Sequence, residues 1–163
     1  MSGAGDVQAV VFGLGEEVFA LPVGIVREII DHRDAFRIPH GPDWLMGLTE
    51  VRDEAVPTVD LRRRLGLDPA PLTPMTRILI VEAVLADRRL TLGLMVDRVL
   101  DVASFAAAAI EPTPDIGVRW DARYIRGVVR TGKGFVVLLD LAGIFHGGDD
   151  AAVLAAAPVA AAA

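Results

Sequence analysis

One pattern is written twice in this chain, and it limits the folds open to it. Trp44-Leu45-Met46-Gly47-Leu48 is followed by Val56-Pro57-Thr58-Val59-Asp60-Leu61. Tyr124-Ile125-Arg126-Gly127-Val128 is followed by Val136-Val137-Leu138-Leu139-Asp140-Leu141. Trp44 and Tyr124, Gly47 and Gly127, and Asp60 and Asp140 all stand 80 residues apart. A second echo, Val26-Arg27-Glu28-Ile29 against Val99-Leu100-Asp101-Val102, runs at an offset of 73. A loop of variable length accounts for the change of offset. Two related modules in one chain imply a seam, and a seam is a natural place for a partner.

Local signals point to β-structure. Apolar, β-branched runs at 7–14 and 18–23 flank the turn Gly15-Glu16-Glu17. Residues 26–30 suit a strand or a short helical turn, and 31–42 read as a loop. A hairpin spans 45–52 and 55–60 with its turn at Asp53-Glu54, and Pro57 predicts an edge or a bulge. A brief helix at 61–65 stops at Gly66, and the proline-rich stretch 66–74 is a stiff connector. Strands follow at 77–84, 90–96 and 99–105, then a hairpin at 124–130 and 135–140 turning at Gly132-Lys133-Gly134, then a helical turn at 141–145. Many short strands with turn signals between them define an all-β barrel or sandwich class.

Composition narrows the functional classes. The 163 residues suit one domain or two tightly fused subdomains. No apolar run reaches the roughly 18 residues of a membrane span. The start of the chain does not read as a signal peptide. There is no cysteine, which removes disulfides, thiol catalysis and cysteine-ligated zinc and fits a reducing cytoplasm. The net charge is −6, so a nucleic-acid partner is not expected. The one basic run, Arg62-Arg63-Arg64, reads as a solvated helix start.

Catalytic patterns are hard to find. His32, His40 and His146 are isolated, and the two serines, Ser2 and Ser104, sit in no nucleophile elbow. Gly13-Leu14-Gly15 lacks the third glycine of a dinucleotide loop and reads as a turn. Glu50, Asp53 and Glu54 could supply an acid/base pair, but they read first as charges decorating a hairpin turn. Asp60 and Asp140 read as helix N-caps rather than catalytic acids.

Together these residues resemble the CheW family of chemotaxis coupling proteins, from about residue 7 to 145. The carriers are Phe12-Gly13-Leu14-Gly15-Glu16-Glu17-Val18-Phe19-Ala20-Leu21-Pro22-Val23, Val26-Arg27-Glu28-Ile29, Ile38-Pro39, Gly47-Leu48 and Val56-Pro57-Thr58-Val59-Asp60-Leu61-Arg62. Gly93-Leu94-Met95-Val96-Asp97-Arg98-Val99-Leu100-Asp101-Val102, Ile110-Glu111-Pro112 and Tyr124-Ile125-Arg126-Gly127-Val128 extend the match. One stretch departs from the family pattern. Where the family usually carries Asn-Leu-Arg-Gly, this chain has Glu50-Val51-Arg52-Asp53.

The resemblance implies an all-β fold of two SH3-like five-stranded β-barrel subdomains with short helices. It implies a CheW-like domain over 6–146, divided near 66–76. The tail over 147–163 is low-complexity and alanine-rich by composition, reads as a loose helix or disorder, and stands outside the fold argument. It implies a non-catalytic adaptor without cofactor or metal, coupling methyl-accepting chemoreceptor tips to the histidine kinase CheA. Such a protein is cytoplasmic and reaches membrane arrays only through its partners. Matched onto the family's receptor groove, the residues are Val23, Val26, Ile29, Val96 and Val99. Glu28 and Arg52 are the family-typical acid and base, expected to pair and to matter for assembly. Glu50 and Asp53 are expected to tune partner choice. The alternatives are an adaptor of a specialised non-motility pathway, a small-ligand barrel, and a small enzyme built on the Glu50 cluster.

Overall fold

The computed structural model describes residues 5–85, 87–112, 122–132, 134–145 and Leu154. The hairpin tip at Lys133, His146 and the tail apart from Leu154 lie outside these residues. Eleven strands are described: β1 (Val7–Leu14), β2 (Glu17–Pro22), β3 (Val26–Asp31), β4 (Leu45–Val51), β5 (Glu54–Asp60), β6 (Arg77–Leu85), β7 (Arg88–Val96), β8 (Arg98–Phe105), β9 (Ile110–Glu111), β10 (Ile125–Thr131) and β11 (Gly134–Leu139). Two one-turn helices, α1 (Leu61–Arg64) and α2 (Leu141–Ile144), follow β5 and β11.

The strands form two sheets, ordered β8-β1-β2-β11-β10-β9 and β3-β6-β7-β5-β4. The sheets therefore do not separate at 66–76. Each is built from the first hairpin of one half and the later strands of the other. The five-stranded sheet is formed wholly within residues 26–96, and the six-stranded sheet takes both flanks. The exchange preserves register. Parallel pairing places Ala20 beside Leu138 and Gly93 beside Thr58. These positions are related by the same offsets, 73 and 80, as the sequence echoes. Likewise Phe12 pairs with Val99 and Val10 with Val102, as Val81 pairs with Val26 and Leu79 with Ile29.

Burial explains the continuous apolar runs of β1 and β6. Val10, Phe12 and Leu14 face the main core, which also takes Leu79, Val81 and Leu92 from the other sheet. The alternate residues Ala9 and Val11 join a second cluster, and Ile78 and Ile80 a third. Both faces of these strands are thus covered, so the alternation expected of a half-exposed strand disappears. Leu154 is also buried in the main core, so at least this residue of the alanine-rich tail packs on the fold.

Local expectations are met with small shifts. Residues 26–31 are a strand, preceded by a 3₁₀ turn at Val23–Ile25. The first repeated hairpin turns at Arg52 and Asp53, one residue earlier than expected, with φ of 50° and 66°. Two positive φ values are what a tight two-residue hairpin requires. Pro57 is not on an edge, since β5 lies between β7 and β4. Parallel pairing with β7 begins only at Thr58, so the proline stands just outside that ladder. Asp60 caps α1 by accepting from the Arg62 and Arg63 N–H groups at 3.1 and 3.5 Å. Asp140 caps α2 through Ala142 and Gly143 at 3.1 and 3.4 Å.

Candidate partner-binding site

The apolar row begins where the chain leaves β2. Val23 is 37% exposed on the 3₁₀ turn, and Ile29 is 40% exposed on β3. Val26, between them, is half-buried and packs against the main core. β3 is an edge strand, so its outer side has no neighbouring strand among the described residues. Val99, on the edge strand β8, is half-buried against the same core from the other sheet. Val96 differs from the expectation. It is 1% exposed, because β7 is an interior strand and this side chain points into the shared core. It supports a surface without forming one.

Glu28 and Arg52 meet as a two-pronged pair. Arg52 Nε donates to Glu28 Oε2 at 3.0 Å and Nη2 to Oε1 at 2.9 Å. This ties β3 to the β4–β5 turn across the sheet. The hydrogen bond from Arg52 holds the Glu28 carboxyl below its ordinary range, helped by the positive fields of Arg52, Arg33 and Arg27 and opposed by partial burial. Arg33 Nη1 donates to the Glu50 carbonyl at 2.9 Å. Glu50 and Asp53 line a hollow of about 370 Å³ with Arg33, Asp34, Thr49 and Arg52. The two added acids therefore line the same hollow as the retained arginine. Among the described residues, no group of three or more His, Asp or Glu side chains is arranged to hold a metal ion.

Two arginines of α1 overturn the expectation of a solvated run. Arg62 forks onto Asp97, with Nε 2.8 Å from Oδ1 and Nη2 bonded to Oδ2. Arg64 lies over three aromatic rings, 5.4 Å from the centroid of Trp44 and 5.6 Å from those of Tyr124 and Phe145. It also donates to the Tyr124 hydroxyl at 3.3 Å and to the Ile144 carbonyl. Arg64 and Ile144 stand 80 apart in sequence, as do Trp44 and Tyr124, so equivalent parts of the two modules meet here. Arg63 alone stays at the surface, with 41% side-chain exposure, paired to Asp60. Sequence reasoning missed Asp97. Its signals were its place in the family-like run 93–102 and an acid set between two strands in Val96-Asp97-Arg98.

Two interlocked β-sheets, a shared core and an apolar edge beside a charged pair define a binding scaffold. The chain belongs to the CheW-like domain family, whose sequence model matches residues 8–148. It is 33% identical over 141 residues to the probable chemotaxis protein CheW of Rhizobium etli, covering 86% of this chain and 88% of that one. It is 31% identical over 141 residues to the chemotaxis protein CheW of Rhizobium meliloti, covering 86% and 88%. The crystal structure of the scaffolding protein TtCheW from Thermoanaerobacter tengcongensis superposes with a TM-score of 0.76 at 27% identity, over 87% of this chain and 89% of that one. The architecture is the two SH3-like subdomains of that family. Among the described residues, no helix is long and apolar enough to cross a membrane.

Proposed function

We propose that this protein is a non-catalytic adaptor that couples chemoreceptor signalling tips to the histidine kinase CheA in the cytoplasm. The observation that carries the reading is the row of Val23, on the 3₁₀ turn, with Val26 and Ile29, on the edge strand β3 that follows it, a strand that also carries the Glu28 of the Glu28–Arg52 pair. Val99 packs against the same core from the other sheet and is assigned the second apolar side of the site, with Val96 beneath it in the core. An amphipathic receptor helix presents apolar residues every three to four positions and suits such a strip. The Glu28–Arg52 pair lies on the other face of β3, with Ile30, and steers assembly more than it adds affinity, because exposed pairs contribute only about 0–1 kcal/mol.

Co-sedimentation with purified receptor tip and kinase tests the reading. Ile29→Asp and Val26→Asp should keep a native circular dichroism spectrum and lose receptor binding. Arg52→Ala should melt within a few degrees of wild type and activate kinase poorly in reconstituted arrays. Full activation by all three variants would overturn the proposal.

The acids at Glu50 and Asp53 favour a second reading, service in a specialised chemosensory pathway. Two carboxylates beside Arg52 favour a partner surface rich in Arg or Lys, and salt would screen that preference. Glu50→Asn with Asp53→Gly should broaden the range of receptor tips bound and flatten the salt dependence. Identical rankings and slopes would remove this reading.

A further inference from the structure

The chain crosses between its sheets at two equivalent places. From β2 to β3 it passes through the 3₁₀ turn Val23–Ile25, and from β7 to β8 through the single residue Asp97. Gly24 and Asp97 are 73 apart and hold the same place in the repeat. Among the described residues, the first crossing has no side-chain cap, and a Cβ added at Gly24 would meet nothing within 4 Å.

The second crossing is fastened from both sheets. The Asp97 N–H donates to the Gly13 carbonyl at 3.2 Å, and its Oδ2 accepts from the Gly15 N–H at 2.6 Å. Arg98 Nη2 donates to the Gly15 carbonyl at 2.8 Å. The same guanidinium lies over Gly13, where a Cβ would come within 2.6 Å of its central carbon. Arg62 closes the set, forked onto Asp97 and donating through Nη1 to the Asp68 carbonyl at 2.8 Å. The Arg62 and Asp97 side chains are only 15% and 24% exposed. A forked guanidinium–carboxylate contact fixes direction as well as distance, because two parallel bonds remove the freedom to swing.

We infer that Arg62 and Asp97 are positioning residues that preset one lip of the partner groove, the Val96–Val99 corner, while the Val23–Val26 lip is left free to adjust. The inference rests on the receptor-groove reading above. Asp97 follows Val96 directly and precedes Val99 by two residues, so any rotation of the latch moves the start of β8. A preset lip reduces the ordering that binding must impose, and the unlatched lip takes up differences among partners.

The chain has no cysteine, so spin labels can be placed at Ile29→Cys and Val102→Cys, equivalent positions on β3 and β8, without background. Arg62→Ala and Asp97→Asn should widen the inter-label distance distribution. In the unlabelled full chain each should weaken binding of a purified chemoreceptor signalling-tip fragment about tenfold. Arg62→Lys, which keeps the charge and loses the fork, should fall between wild type and Arg62→Ala. Asp97→Asn is nearly isosteric and keeps a carbonyl for the Gly15 N–H, so it serves where Arg62→Ala does not fold. Unchanged binding in both variants overturns the inference. So does weakened binding with an unchanged distance distribution, since that would mean direct contact with the partner. A wild-type chain that fails to bind the tip would sink the receptor reading instead, and the label distances alone would then decide the latch.

Discussion

At Gly47 and at Gly127 the repeated hairpins break register in the same way, between Leu45 and Gly47 in one and Ile125 and Gly127 in the other. The two glycines answer different demands. Gly47 has φ of 137°, and a Cβ there would lie 2.0 Å from the Phe36 carbonyl oxygen. Gly127 has no such φ, and its Cβ would first meet a side-chain methyl of Ile110 at 2.5 Å. Beside β4 the chain makes one isolated bridge, Phe36 to Leu48, whereas beside β10 it forms the short strand β9. The sheet crossings diverge similarly, one latched by Asp97 and one open at Gly24. The two halves share a backbone path, while the side chains that secure it differ.

The glycine pair offers the largest test. Gly47→Ala should cost about 3 kcal/mol or more, since both the backbone angle and a backbone oxygen oppose it. Gly127→Ala should cost less, about 1–3 kcal/mol, because its backbone angle is ordinary, although the β-branched Ile110 methyl must shift and the Glu111 carbonyl oxygen lies only 3.1 Å from the added Cβ. Urea unfolding of the two variants reads the difference, and equal losses would break the comparison.

The crossings come next. Arg62→Ala should destabilise by about 2 kcal/mol, leaving a partly buried carboxylate without its cation. Gly24→Ala at the equivalent crossing should be neutral or stabilising by about 0.5 kcal/mol, through loss of unfolded-state freedom. A marked destabilisation by Gly24→Ala would mean that the open crossing carries a constraint after all.

Acid sharpens the same contrast with a smaller effect. The forked bond from Arg62, aided by the Gly15 N–H and the neighbouring cations, lowers the Asp97 pKa against a partial burial cost. A carboxylate lowered by folding stabilises the protein fully above its unfolded pKa and loses that contribution as pH falls through the folded value. The melting-temperature gap between wild type and Asp97→Asn should therefore narrow from about pH 5 downward. Asp60 has the opposite sign. Burial raises its pKa despite the capping N–H groups and the nearby Arg63 and Arg62, so acid relieves a penalty there. A gap that stays constant to low pH would show that the latch carries no net charge stabilisation.

The smallest effect belongs to the β4–β5 turn. Asp53 sits at φ of 66°, where glycine is at ease. Asp53→Gly should change stability by less than about 1 kcal/mol, with relief of backbone strain offset by a more flexible unfolded chain. A large change would mean that the Asp53 carboxylate has a structural task beyond the rim of the site.

What could be read in advance was local. Hairpins, turns and both aspartate caps follow from residue order, because the groups that satisfy them lie within a few positions. The offsets of 80 and 73 are kept in the parallel registers, and β3 and β8 keep the offset of 73 where they pair with β6 and β1. The family resemblance also located Glu28 and Arg52, and the chain does bring them together, although they lie 24 residues apart. Tertiary structure alone decided which hairpin joined which sheet. Parallel pairs such as β2 with β11 close long loops, and nothing within either strand names its partner. Tertiary structure likewise turned Val96 inward and brought Arg62 to Asp97 and Arg64 to Tyr124, across 35 and 60 residues. An arginine within a basic run carries no mark of the carboxylate or ring it will meet, because the fork and the aromatic cage exist only after the sheets have exchanged strands.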